Sequence, residues 1–556
     1  VDPELLGILA RVKDKADMVY VRDAIQQELA RLRMRMPEAG RIADIRSSLK
    51  YGFASALDNT EAVAGAVVAY VAATRDVDMV NQVYARYDAV TPEEVQRVAR
   101  KYFTDKAMVV TTLCAGDLPA GADKPGSVDA HLTHMAGFSG AAPAAIAVAA
   151  RPKAAAAKPA FKELIQKSVS PVIDVRLQFL TGAVDDPAGK EGLAELTSRM
   201  VTDAGSKAMT FEAIQQALFP MAAGFGATVD KEMTTFSGKV HKDNLERWYD
   251  VIGGQLLEPG FRDEDFRRVR SNLVNDIRVS LRANNDEELG NEVLYEQLYA
   301  GHPYGALSGG HATAVEKLTL ADVRDFHRRH YTQGALTLGV AGDVSEAFLA
   351  RVRADLAAHL PASAGAKRTI PAAKPPSGLD VTLVQKDTRA AAISMGFPIS
   401  VKRGHPDFVA LYLARSFLGE HRSSSAYLFQ RMREIRGMNY GDYAYTEYFP
   451  NGMFLTAPRP GVARSEQAFR IWIRPVPPEQ THFAIRIAKY ELDKLVREGL
   501  SQDDFDATKS FLEKSTGLLT ARQGDRLGYA LDQRFYGQGD FTQYIRQALT
   551  GLTRDK

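Results

Sequence analysis

An α+β fold made of tandemly repeated domains is expected for this chain on three grounds. Helix-type periodicity recurs at a fixed offset, a helix-then-strand ending occurs twice, and strand-like apolar runs lie between the helical stretches. At 556 residues and roughly 150 residues per domain, three to four domains are anticipated, each large enough to bury its own core.

The first repeat shows when the chain is laid against itself at an offset of 463 residues. Glu28-Leu29-x-x-Leu32 then falls on Glu491-Leu492-x-x-Leu495, and Arg46-Ser47-x-Leu49 on Lys509-Ser510-x-Leu512. In both copies apolar residues recur at spacings of three and four, and Pro37 or Gly499 marks the turn before the next helix. Two unrelated amphipathic helix pairs are the alternative reading. The second repeat pairs Val90–Val95 and its RVARKYF continuation with Leu318–Val323 and FHRRHY. Thr91 and Thr319 are natural N-caps with acids in the first turn. Each copy then enters an apolar run, expected to be a strand, that closes on Gly116-Asp117 or Gly342-Asp343.

These matches divide the chain into residues 1–117, 161–360 and 377–556, separated by Ala/Pro/Gly-rich linkers at 118–160 and 361–376. The first and third blocks are copies of the same half. Residues 379–470 of the third block have no counterpart in the first, and their runs VTLVQKD, AAISMGFPI and GMFLTAP are expected to form half of a sheet. Block one is therefore expected to begin inside a sheet whose remaining strands come from elsewhere, because a bisected sheet exposes unpaired edges. The chain reads as an internal portion of a longer polypeptide, or as one member of a nicked or two-chain assembly.

Composition narrows the function classes. A net charge of +2 supplies no nucleic-acid footprint. The single cysteine, Cys114, excludes an internal disulfide and a thiolate zinc cluster, so any metal would rest on histidine and carboxylates. The longest apolar runs, near residues 62–73 and 141–150, are too short to span a bilayer. The first residues do not form an intact signal peptide.

Three segments carry the most information: DDPAGKEGLAELTSRM at 185–200, NEVLYEQLYAGHPYG at 291–305, and QRMREIRGMNY at 430–440. Together they resemble the pitrilysin, insulysin and mitochondrial processing peptidase family of zinc peptidases, whose metal motif is H-x-x-E-H. The resemblance covers nearly the whole chain. It is most specific at GKEGLAELTSRM, since family members have the same glycine-leucine-alanine lead-in to the motif. At the three motif positions this chain has Glu195, Ser198 and Arg199, and counting to the further acid of an active member lands on Asp276.

Positions i, i+3 and i+4 share a helical face, so two imidazoles there can grip one zinc ion while the glutamate between them reaches its bound water. Glu195 and Asp276 could ligate, but Ser198 is no general base and Arg199 is a fixed cation with no acceptor atom. No metal is expected in this chain. Leu193, Leu196 and Met200 form the packing stripe of the same helix. One reading has Arg199 replace the metal's charge by pairing with Glu195 or Asp276. The other has three solvated polar side chains on an exposed face.

Arg433 and Tyr440 lie seven apart across Gly437. The resemblance implies that such a pair donates to substrate carbonyls near the scissile bond, and both side chains are donors at neutral pH. The alternative is a surface arginine and a sheet tyrosine, with Tyr440 starting a strand, YGDYAYTEYF. Other candidates are weaker. His327 and His330 share a helix with Arg324, Arg328 and Arg329, a poor metal environment, His131 and His134 fall in the linker, and the turn His302-Pro303-Tyr304-Gly305 has no assignable chemistry.

The resemblance implies a clam-shell of two halves, each of two domains with a mixed, largely antiparallel sheet and helices on one side, enclosing a peptide-admitting chamber. On that scheme residues 1–117 complete a second domain, 161–360 are a third and 377–556 a fourth. Zinc belongs in a missing first domain or a partner chain bearing H-x-x-E-H. This chain alone is expected to be inactive, contributing the non-metal half and the donors Arg433 and Tyr440 to hydrolysis of peptides or unfolded polypeptides. A catalytically dead binding or assembly subunit is the competing expectation. The family resemblance suggests a bacterial periplasm, whereas the residues themselves leave the compartment open.

Overall fold

The computed structural model describes residues 5–134, 160–365, 368–449 and 455–556. It divides into two compact units, residues 1–147 with 216–222, and the remainder.

In the first unit, the helices are α1 (Met18–Met34), α2 (Ala39–Ala56), α3 (Thr60–Thr74), α4 (Met79–Ala89) and α5 (Pro92–Tyr102). Thr91 and Glu94 close a capping box at α5, with Pro92 in the first turn, where its missing N–H costs nothing. The start of the expected 118–160 linker is ordered against α1. Arg22 donates to Gly121 O and Lys124 O at 2.7 and 2.6 Å, Gln26 donates to Pro125 O at 2.6 Å, and Val128–His134 is helical. Residues 135–159 of that linker lie outside the described residues.

The run at 108–114, expected as a strand, joins no ladder, and Val109 and Leu113 are 89% and 92% exposed. A strand needs a neighbour for its backbone groups, and there is no strand in this unit among the described residues.

The second unit holds two sheets. The larger contains β1 (Lys162–Lys167), β2 (Val172–Phe179), β3 (Gly224–Val229), β4 (Thr234–His241) and β5 (Leu336–Gly342) in the order β1-β5-β2-β4-β3. Only β1 and β5 run parallel. The smaller contains β6 (Ala391–Ile399), β7 (Asp442–Tyr445) and β8 (Gln467–Val476), antiparallel in the order β6-β8-β7.

The helices that position these sheets are α6 (Leu193–Thr202), α7 (Leu245–Leu257), α8 (Asp263–Asn275), α9 (Asp286–Leu298), α10 (Leu320–His330), α11 (Glu346–His359), α12 (Thr481–Glu498), α13 (Gln502–Ser515), α14 (Gln523–Phe535) and α15 (Phe541–Thr550). Each sheet has the helices of its own block on one face. Tyr249 and Ile252 of α7 and Phe348 of α11 meet Val175, Leu177 and Leu338, while Ala484 and Ile487 of α12 pack on Phe469, Ile471 and Ile473.

The second face of each sheet is covered by a helix lent from the other. Leu527 and Leu531 of α14 lie over Gly339 of β5, where a Cβ would come within 3.3 and 3.1 Å of their Cδ1 atoms. Gln523 Nε2 donates to Asp174 Oδ2 at 2.9 Å, and Arg176 donates to Gly524 O at 3.0 Å. In exchange α9 lies under the smaller sheet, where Glu287 accepts from Arg474 at 3.1 and 3.2 Å and Asn291 accepts from Arg470. Most residues of β2 and β8 are thus buried on both faces, although the strands carry the polar residues Asp174, Arg176, Gln178, Gln467, Arg470 and Arg474.

Of the expected runs in the third block, AAISMGFPI is β6. VTLVQKD forms no ladder, and Leu379, Val381 and Leu383 are 79%, 76% and 86% exposed. Its counterpart β1 pairs with β5 alone, and no strand of that kind lies beside residues 379–387 among those described. In GMFLTAP, residues 452–454 lie outside the described residues, and 455–458 are not in a strand.

Candidate functional site

The helix at the metal-motif position, α6, begins behind Gly192, whose φ of 102° only glycine adopts without strain. Asp186 caps it, accepting from Gly192 N and Ala194 N at 2.7 Å each. Leu193, Leu196 and Met200 are buried, which turns Glu195 and Arg199 to the opposite face. Arg199 Nε donates to Glu195 Oε1 at 2.7 Å and Nη1 to Asp276 Oδ2 at 2.6 Å. Asp276 is set by a change of helical pitch, since α8 passes into a π-helical stretch, Asp276–Ala283, at that residue.

Ser198 takes no part in this clasp. It is 1% exposed, and its hydroxyl donates back to Glu195 O at 2.9 Å.

A zinc ion does not fit these residues. The guanidinium stands between the two carboxylates, where a cation would have to sit, and offers five donors and no lone pair. No group of three or more His, Cys, Asp or Glu side chains with metal-site geometry occurs among the described residues. Burial pulls Arg199 down, but Glu195 and Asp276 outweigh it and hold the guanidinium above its ordinary value. Burial pushes Glu195 up, and Arg199 opposes that shift.

Arg199→Ala should therefore lower stability by about 1–2 kcal/mol, between an exposed pair and a buried one, read as a fall in melting temperature. An unchanged melting temperature would refute a structural role for the clasp.

Arg433 lies on a π-helical turn, Gln430–Glu434, that ends at Gly437 with φ of 61°. Gly437 N and Met438 N donate back to Arg433 O and Met432 O at 2.7 and 3.1 Å, closing the turn as a left-handed C-terminal cap does. The strand begins two residues later than expected, at Asp442, so Tyr440 sits on the loop before it, 66% exposed. Its ring lies 4.4 Å from the Arg433 guanidinium carbon and 5.5 Å from that of Arg474.

Beneath it the backbone is held by Asn439, whose Nδ2 donates to Asp442 Oδ1 at 2.7 Å and Arg474 O at 3.1 Å. Burial pushes the Asp442 carboxyl up to about 7, against the Asn439 donor. The result is an exposed phenol on a braced loop, with a half-buried guanidinium stacked against its ring and donating to Tyr440 O at 3.4 Å.

The weaker candidates are structural. Burial pulls His327 down to about 4, and His330 Nδ1 lies 3.2 Å from Thr181 Oγ1, so the two rings have separate neighbours. His131 falls on the Val128–His134 helix. The HPYG turn places Tyr304, fully buried, with its hydroxyl donating to Glu232 and accepting from Ser465 N at 3.0 Å. That contact belongs to a polar network missed in the sequence, centred on Arg464 and Asp230. Their two hydrogen bonds measure 2.7 and 2.5 Å, and their side chains are 1% and 3% exposed.

Residues 163–307 match the family model described as insulinase, peptidase family M16, and residues 317–512 match that of the peptidase M16 inactive domain. The chain belongs to the insulinase family of peptidases. Within that family, an uncharacterised zinc protease of Streptomyces coelicolor is 26% identical over 316 residues, covering 55% of this chain and 63% of its own. The chain spans a little under two thirds of the curated relatives it matches first, which cover 63% and 64% of their lengths.

Two solved structures have a similar fold. The peptidase M16 inactive domain from Pseudomonas fluorescens has a TM-score of 0.60 and 22% identity, over 71% of this chain and 90% of that one. The periplasmic protease PqqL of Escherichia coli has a TM-score of 0.55 and 14% identity, over 98% of this chain and 61% of that one. Zinc is the metal in the names of the curated family members. No helix among the described residues is long and apolar enough to cross a membrane.

Proposed function

We propose that this chain is the non-metal half of an insulinase-type zinc endopeptidase, a clam-shell whose H-x-x-E-H site lies on a further domain or partner chain. Residues 1–117 belong to its second domain, 161–360 to its third and 377–556 to its fourth, and peptides or unfolded polypeptides are its substrates. The carrying observation is the braced loop that holds the Arg433 guanidinium 4.4 Å from the centre of the exposed Tyr440 ring. A guanidinium and a neutral phenol stabilise negative charge developing on a substrate carbonyl. The free edge strand β3, which runs beside α6, offers a place for substrate to add as a further strand. Arg199 takes the metal's electrostatic place in the third domain. A periplasmic setting fits the PqqL likeness.

The competing reading is a catalytically inactive subunit that only shapes a complex. It is favoured by the Arg199 clasp and by the inactive-domain match of residues 317–512. The two separate on one preparation. Protein isolated from its native source should cleave an unstructured peptide in a chelator-sensitive manner, together with a polypeptide segment containing H-x-x-E-H, while this chain alone should not cleave it. A native preparation with no such motif and no cleavage would leave the inactive subunit standing.

A further inference from the structure

Two buried oxygens in the loop that carries Tyr440, Asn439 Oδ1 and Asp442 Oδ2, have no donor among the described residues. They belong to side chains already joined, since Asn439 Nδ2 donates to Asp442 Oδ1 at 2.7 Å, and Asp442 is 0% exposed. The other N–H of Asn439 is spent on Arg474 O at 3.1 Å. Turning the carboxamide over would set its oxygen against two acceptors, so its orientation is fixed by what it bonds. A buried acceptor without a donor is costly. Here a single additional proton, on the carboxyl, would serve both.

The charged and titratable groups on the elements packed against β7 have partners of their own. On β8, Arg470 donates to Asn291, and Arg474 donates to Glu287 at 3.1 and 3.2 Å. On the helix Phe408–Gly419, Arg415 donates to Glu420 at 2.9 Å, and Arg431 donates to the Tyr427 hydroxyl at 2.8 Å. Tyr443 and Tyr445, on β7 itself, are phenols that burial holds above their ordinary value. Burial therefore governs Asp442 and pushes its carboxyl up to about 7, against the Asn439 donor.

We propose that Asp442 is a positioning residue that keeps its proton in the folded protein, donating it through Oδ2 to Asn439 Oδ1 and closing an acid–amide ring beneath Tyr440. In that ring each side chain gives one hydrogen bond and takes one. An ionised Asp442 has no such donor and places a charge in a dry site beside the Asn439 carbonyl. The ring closes the segment between its own members, Tyr440 and Gly441. That segment is tied at its ends by Met438 N to Met432 O and by Arg474 N to Gly441 O, both at 3.1 Å. As pH rises through about 7 the proton leaves and the brace opens. The unfolded chain gives up the same proton near pH 4, so this contribution to stability falls between about pH 4 and about pH 7 and is flat above. The inference rests on the proposed function for the task of Tyr440 and for nothing else.

Asp442→Asn tests it, because a second carboxamide supplies the donor at every pH. The Asp442 carboxyl carbon, followed by carbon-13 NMR and assigned by its loss in Asp442→Asn or Asp442→Ser, should titrate near neutral pH and not in the ordinary carboxylate range. Between pH 5 and pH 8 the unfolding constant of the wild type should rise on the order of 10²-fold more than that of Asp442→Asn. Hydrogen-exchange protection of the Met438 and Arg474 amides should fall about tenfold in the wild type alone. In the native assembly, wild-type kcat relative to that of Asp442→Asn should fall about tenfold from pH 6 to pH 8, with KM little changed. A carboxyl that titrates in the ordinary range, as it would with a water bridging the two oxygens, overturns the proposal. So does equal pH dependence of the two proteins. Should Asp442→Asn not fold, the wild-type titration decides alone. Lost protection in an assembly that cleaves nothing at any pH upholds the ring and counts against the peptidase reading alone. A raised titration with a flat kcat ratio strips Asp442 of its positioning role and leaves the peptidase reading intact.

Discussion

Arg464→Ala should destabilise the second unit by about 3–5 kcal/mol, the usual cost of removing one partner from a buried ion pair. The guanidinium meets Asp230 through Nε and Nη2 at 2.7 and 2.5 Å, and the Tyr448 ring lies 3.7 Å from Cζ. Burial pulls the guanidinium down, and Asp230 more than reverses it, holding it well above its ordinary value. Truncation leaves the Asp230 carboxylate in a dry site without its counter-charge, and that penalty exceeds the lost packing. Removing both charges at similar volume, with Arg464→Met and Asp230→Leu, should recover most of the loss. Urea unfolding followed by tryptophan fluorescence would report it. A single-variant cost under about 1 kcal/mol, the range of exposed pairs, would show that water reaches the pair.

Tyr440→Phe should reduce chelator-sensitive cleavage by the native assembly about 10²–10³-fold in kcat, the effect of deleting one donor to a developing oxyanion. Phenylalanine keeps the ring between Arg433 and Arg474, so the loop and KM should change little. Arg433→Ala removes both a donor and the ring's support and should raise KM as well. Arg433→Lys retains the charge but loses the planar stack, so it should fall between them. Equal rates for wild type and Tyr440→Phe would eliminate the phenol from the chemistry.

Local features of the fold were readable from sequence because their causes are local. The cap at Thr91, the buried stripe of α6 and the spacing of Glu195 and Arg199 all follow from helix geometry within a few residues. Strands were read less well. VTLVQKD and the run at 108–114 have strand composition, but a ladder depends on a neighbour that composition cannot reveal. Tyr440 was placed in a strand that begins at Asp442, because the Gly437 turn takes two more residues to rejoin β8 than alternation suggested.

The Arg464–Asp230 pair and the reciprocal helices left no local pattern. The pair's members are 234 positions apart, and α9 and α14 look like ordinary amphipathic helices until the second sheet face is seen. The polar residues on β2 and β8 carried the available signal, since a strand with polar residues inside must have something to bond them to.

The Arg199 clasp also bears on how the domain is made. Two helical segments joined by a metal ion are finished only after that ion is delivered, so their folding is coupled to metal supply, proton release and chelators. Here the joining cation is encoded in the polypeptide, with its donors at 2.7 and 2.6 Å from the two acids. The join between the two helices can form as soon as residues 195–276 have been synthesised and collapsed, in a cell starved of zinc as readily as in one replete with it.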